Sequence, residues 1–250
     1  MARLNTSELE IEKLHTAPSL TAHEFAQSVL ELNPRVAVFD CDGTLWSGDA
    51  GSGFMNWTME SGLLSRTTSD WMDARYRSYL RGEVDEYTIC AEMVQIYKGL
   101  SELEVRAAAR EYFRLHIEKN IFPELSALID ALRTHGTEIW AVSSTNNWVV
   151  EEGVSRFGIF PENIIAASVK VARCIVTGEI LNVPTGEGKA ESLRRAGLPA
   201  PDAAFGNSVH DAAMLAMARR AYAVNPSEAL LQLATKSGWN VYHPITTVAR

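Results

Sequence analysis

The chain has 250 residues, enough for one large core or for a core with a small accessory unit. Its 46% hydrophobic and 22% charged content is that of a globular protein, and a net charge of −8 argues against nucleic acid or an anionic membrane as partner. A small phosphorylated substrate stays open, because a metal and a few basic side chains can reverse the field within one cleft. The three cysteines, Cys41, Cys90 and Cys174, lack metal-ligand spacing and read as reduced thiols. With no apolar leader and no run of membrane-spanning length, the expectation is a cytoplasmic protein. Nothing in the sequence specifies self-association.

Residues 1–34 read as a polar leader and one helix packed on the core. Thr21 and Glu24 have capping-box spacing there, and Leu20 and Phe25 occupy staple positions. Pro34 ends that segment, and an apolar run predicts a strand over 36–40. Strand alternation would turn Asp40 and Asp42 to one side and Cys41 to the other, before Gly43 turns the chain. Two carboxylates so close raise each other's pKa unless a cation sits with them, and a hard divalent ion such as Mg²⁺ is the economical one. One carboxylate is then free to attack phosphorus.

Residues 46–120 are helical in texture, with helices expected at 70–81, 84–98 and 102–119 and a capping box at Ser101 and Glu104. The stretch is too long for a loop and should fold as a unit of its own. From 121 onward helix and strand alternate. A helix runs from Pro123 to Arg133, and strands follow at 138–142, 203–205 and 221–224. Further helices are expected at 146–157, 187–196 and 209–219, with a hairpin formed by 167–171 and 174–177. This order indicates an α/β protein with a parallel sheet and helices on both faces, binding its ligand at the carboxyl ends of the strands.

Polar groups collect at those predicted strand ends. Ser143, Ser144 and Thr145 open a helix, where hydroxyls and backbone N–H groups favour a phosphoryl oxygen. Lys189 stands near a helix start after two glycines, able to shield a carboxylate and a phosphate from each other. Gly206, Asn207, Ser208 and Asp211 follow a short apolar strand. Singly, each has an ordinary structural reading, as an N-cap cluster or a solvated lysine.

In this order, Asp-Cys-Asp-Gly-Thr at 40–44, the serines at 143–144, Lys189 and the segment 206–211 resemble the motifs of haloacid dehalogenase-like (HAD) phosphatases, phosphoserine phosphatase-like branch. The resemblance spans 36–225. It implies a Rossmann-like core from 35–45 and 121–250, with a small helical cap at 46–120. It implies Asp40 as nucleophile through an aspartyl-phosphate, Asp42 as acid and then base, and Ser143 (with Ser144 and Thr145 as runners-up) and Lys189 on the phosphate. Mg²⁺ would be held by the Asp40 side chain, the Asp42 backbone carbonyl and Asn207, with Asp211 binding it directly, through water, or steadying Lys189. Asn207 departs from the family's aspartate and removes a negative charge while keeping an oxygen donor. Asp49 stands where phosphoserine phosphatases place an acidic residue for the substrate amine. Their cap arginine has no match here, since Glu92-Met93 occupy its place, and Arg75, with Arg77 and Arg81, is the compensating candidate. The expectation is a Mg²⁺-dependent phosphomonoesterase acting on a small phosphorylated metabolite. A phosphotransferase or mutase on the same site and a non-catalytic binding module are the alternatives. Trp46, Phe54, Trp57 and Trp71 either line the pocket or pack the cap helices, and His210 reads as a surface histidine near the cleft.

Overall fold

The computed structural model describes residues 19–245. Strand β1 (Ser19–Leu20), helix α1 (Ala22–Leu32) and strand β2 (Val36–Phe39) lead into four helices: α2 (Ala50–Glu60), α3 (Arg66–Leu80), α4 (Glu86–Gln95) and α5 (Glu102–Tyr112). The chain then alternates through α6 (Pro123–Thr134), β3 (Glu138–Asn146), α7 (Asn147–Val154), β4 (Ile164–Ala172) and β5 (Ile175–Asn182). It closes with α8 (Glu187–Arg195), β6 (Ala203–Gly206), α9 (Ala212–Met217), β7 (Arg220–Val224), α10 (Glu228–Ser237) and β8 (Asn240–Tyr242).

The strands form one sheet in the order β1-β8-β7-β6-β2-β3-β4-β5, parallel except for the β4–β5 pair. The strand order switches at β2. Later strands build outward from it on one side through β3, and the chain returns to build the other side from β6. Such a switch opens a crevice at the strands' carboxyl ends. Strand β2 is buried on both faces: Ala37 and Phe39 join one apolar cluster and Val38 the other. Across the first face the registered residues Phe39, Phe205 and Tyr222 stack as a ladder, with centroids 4.1 and 4.9 Å apart. The ladder fixes the last turn of β2 just before Asp40.

The Thr21–Glu24 capping box forms, with Glu24 accepting the Thr21 N–H at 2.8 Å. The part of the leader before Ser19 lies outside the described residues. The hairpin turns at Arg173-Cys174, both left-handed (φ 51° and 63°), and pairs far more of the chain than its short β-type runs suggested. Its outer strand is not left bare. The Gly99 N–H donates to Val176 O (2.8 Å), Val176 N–H to Leu100 O (2.9 Å) and Glu102 N–H to Cys174 O (2.9 Å). The inserted helices are thus stitched to the hairpin at the α4–α5 corner. Helix α2 and the closing pair α10 and β8 are elements the sequence did not announce.

Candidate active site

Strand β2 stops at Phe39, so the alternation expected to align Asp40 and Asp42 ends before it reaches them. A tight loop takes its place. The Thr44 and Leu45 N–H groups donate to Cys41 O (3.1 and 2.8 Å), and Gly43 N–H donates to Trp46 O (2.8 Å). Gly43 sits at φ 74°, and a Cβ there would lie 1.9 Å from the Asn207 side-chain nitrogen. Only glycine permits both this backbone and the close approach of the loop after β6.

Both carboxylates line one cavity of about 410 Å³, but they face different partners. Asp40 Oδ1 accepts from Lys189 Nζ (2.6 Å) and Oδ2 from Thr44 Oγ1 (2.9 Å). Asp42 Oδ1 accepts from Trp46 Nε1 (2.6 Å) and Ala50 N–H (2.8 Å), and its Oδ2 from Thr145 Oγ1 (2.6 Å). Burial, and then the charge of Asp211, push Asp40 up to about 7 against the pull of Lys189. Burial and the charge of Asp49 push Asp42 up to about 6, opposed by its three hydrogen bonds.

Lys189 is buried, and its ammonium bonds Asp40 Oδ1, Asp211 Oδ1 (2.5 Å) and Val142 O (3.2 Å). Burial alone would lower its pKa, but the two carboxylates outweigh burial and hold it well above the ordinary lysine value. All three of its protons are committed. Asp211 is fully buried, and its Oδ2 accepts from the N–H groups of Asn207 and Ser208, each at 2.9 Å. Of the three roles the sequence left open for Asp211, these bonds are those of a residue steadying Lys189.

A bulge in β3 between Ser143 and Asn146 turns Ser143, Ser144 and Thr145 toward the cavity, which all three line. The sequence placed the strand's end at 142 and took Thr145 as a runner-up for phosphate. Thr145 instead bonds Asp42, a partner that only the bulge reveals. Thr44 and Trp46 likewise bond Asp40 and Asp42, contacts that the sequence did not assign to either. Asp49 lines the cavity while capping α2, accepting from Ser52 N–H (2.9 Å) and Ser52 Oγ (2.7 Å).

Arg75 corrects an expectation. It does not line the cavity, because Glu92 takes its guanidinium in a two-pronged bond at 2.8 Å on each prong. Arg77 and Arg81 pair with Asp73 and Glu83 and are also absent from the lining. Trp46 and Phe54 are fully buried, and none of the four aromatic residues singled out in the sequence lines the cavity. His210 does line it.

The donor set suits a hard cation. The Asp40 carboxylate and the Asn207 amide line the same cavity, and that amide makes no hydrogen bond among the described residues. No group of three His, Cys, Asp or Glu side chains forms a metal cluster among the described residues. No helix among the described residues is long and apolar enough to cross a membrane.

A family model for haloacid dehalogenase-like hydrolases matches residues 37–216. The chain is 25% identical over 220 residues to a histidinol-phosphatase of Neisseria meningitidis serogroup C, covering 82% of this chain and 97% of that protein. Among solved structures, a protein of unknown function from Bordetella pertussis Tohama I superposes with a TM-score of 0.74 at 24% identity, over 84% of this chain and 98% of that one. A substrate-bound phosphoserine phosphatase superposes with a TM-score of 0.56 at 16% identity, over 84% and 92%. At such identities the superpositions speak to the fold alone.

Proposed function

The chain belongs to the haloacid dehalogenase-like hydrolase family, as an enzyme of its phosphatase type, and from that premise we propose that it hydrolyses a small phosphate monoester through a phosphorylated Asp40. The observation that carries this reading is the Asp40 carboxylate, lining a cavity and aimed by Lys189 and Thr44, with a second carboxylate of raised pKa beside it.

An Asp40 oxygen attacks phosphorus as the ester P–O bond breaks, and Asp42 gives its proton to the departing alkoxide. Asp42 then takes a proton from water as that water attacks the aspartyl-phosphate, releasing inorganic phosphate and restoring Asp40. A pKa near 6 keeps both forms of Asp42 within reach of neutral pH. Lys189 acts by its charge and by aiming Asp40, since its protons are already engaged. Ser143 and Ser144 supply hydroxyls to the phosphoryl oxygens. Asp40, the Asp42 carbonyl and Asn207 would hold Mg²⁺, which when bound neutralises charge on the transferring group. Helices α2–α5 serve as a cap carrying specificity. Three unpaired cysteines, one of them exposed, support a cytoplasmic setting.

The test is hydrolysis of p-nitrophenyl phosphate with Mg²⁺, with intact-mass detection of phosphorylated Asp40. Asp40→Asn should lower the rate by about a thousandfold or more. A folded Asp40→Asn variant that keeps the wild-type rate would overturn the reading.

A further inference from the structure

The inserted helices carry an unusual carboxylate. Glu92, Glu83 and Glu102 each hold an arginine, namely Arg75, Arg81 and Arg106. Glu86 holds none. Its Oε2 accepts the Tyr79 hydroxyl and its Oε1 faces the Cys90 thiol at 3.7 Å, both neutral donors. From the core side, His210 Nε2 stands 3.8 Å away, beyond hydrogen-bond distance. The Glu86 side chain is only 21% exposed and lines the catalytic cavity. Tyr76 and Tyr79 line it too, with ring centroids 5.9 Å apart and planes tilted by 40°.

We propose that Glu86, with the Tyr76 and Tyr79 rings, seats a cationic amine on the alcohol of the substrate, so that the site selects phosphate monoesters bearing an amine and no carboxylate. This rests on the phosphatase reading and narrows it. A partly buried carboxylate whose hydrogen bonds come only from a phenol and a thiol gains much from an incoming cation, and two tyrosine rings beside it add attraction from their π faces. Asp49, on the same cavity, adds a second negative charge. Among the described residues that line the cavity, Lys189 is the sole Lys or Arg, and it is committed to Asp40 and Asp211. A substrate carboxylate would therefore meet Glu86 and Asp49 with no lysine or arginine free to receive it. The arginine nearest in sequence to that task, Arg75, is neutralised by Glu92.

The experiment compares kcat/KM, with Mg²⁺, for aminoethyl phosphate, the uncharged propyl phosphate and O-phosphoserine, which adds a carboxylate to the amine. The amine ester should exceed each of the others by about tenfold or more, the scale of one charge-assisted contact. In Glu86→Gln, which keeps an acceptor for Tyr79, the amine-to-propyl ratio should fall to about one. A wild-type ratio near one, or a ratio unchanged in Glu86→Gln, overturns the proposal while leaving the phosphatase reading intact. Should that variant not fold, Tyr79→Phe, expected to keep the ring and part of the preference, takes its place beside the wild-type ratio. If no ester is hydrolysed, the phosphatase reading is what fails. Calorimetric titration of the wild-type protein with the same three esters then decides this inference: tighter binding of aminoethyl phosphate upholds it, and equal binding overturns it.

Discussion

Replacing Lys189 with methionine would leave Asp40 and Asp211 facing each other without the ammonium that now bonds them at 2.6 and 2.5 Å. Side-chain exposures of 2%, 8% and 1% for Lys189, Asp40 and Asp211 mean that water would solvate the two carboxylates poorly in its place. Removing one partner from a buried ion pair costs about 3–5 kcal/mol. The carboxylates can escape part of that cost by binding protons. Burial and then Asp211 already hold Asp40 near 7, and Lys189 pulls it down, so without Lys189 it rises further. A carboxyl whose folded pKa exceeds its unfolded one binds more protons in the native state, and stability then falls as pH rises through that window. One extra native-state proton relative to wild type steepens the slope by about 1.4 kcal/mol per pH unit. Wild-type Asp40 already holds its proton below about 7, so the extra proton counts only above that value, and two pH units amount to about 3 kcal/mol. The deficit of the variant should therefore approach about 3–5 kcal/mol near pH 9 and shrink to about 2 kcal/mol or less near pH 7. Urea unfolding of both proteins in chelator at the two pH values measures this. An equal deficit at both would refute a shared ammonium.

Asp42→Asn keeps acceptors for Trp46 and Ala50 but cannot exchange a proton, so hydrolysis of an alkyl phosphate should fall by about 10²–10⁴. The loss on p-nitrophenyl phosphate, whose leaving group needs no proton, should be smaller, and steady-state kinetics on both esters separates the cases. Gly206→Ala places a Cβ 2.5 Å from that of Asp211. It should cost about 1–3 kcal/mol in thermal or urea unfolding and disturb the Lys189 pair. Asn207→Asp restores a negative charge beside Asp40, and Mg²⁺ titration should show affinity raised by about tenfold; unchanged affinity would remove residue 207 from the ligand set.

The candidate site residues Asp40, Ser143 and Asn207 were legible because each lies at or near the end of a strand written in apolar residues, and Lys189 because it opens a helix after two glycines. Asp40, Ser143, Lys189 and Asn207 come to one cavity, as strand order and the topological switch require. What escaped the sequence is what tertiary contact decides. The β3 bulge sends Thr145 to Asp42, and no local pattern encodes it. Helix α2 begins within Asp-Ala-Gly-Ser-Gly, glycine-rich and poor in intrinsic propensity, yet Asp49 caps it and its buried Phe54 and Met55 hold it in place. Arg75 looked free because its partner, Glu92, lies 17 residues on and becomes its neighbour only when α3 meets α4.

The stitching of residues 99–102 to the hairpin ties one corner of the inserted helices to the sheet and leaves α3 outside that tie. Swinging the whole insertion outward would break three backbone hydrogen bonds and the bond from Gln95 to Gly178 O (2.8 Å) together. Pivoting α3 and the leading turn of α4 breaks none of these. That part carries Tyr76, Tyr79 and Glu86, whereas Asp40, Lys189 and Ser143 belong to the elements of the sheet and its flanking helices. On the proposed reading, the groups that would hold the alcohol and those that would hold the phosphoryl group thus sit on separate stretches of backbone.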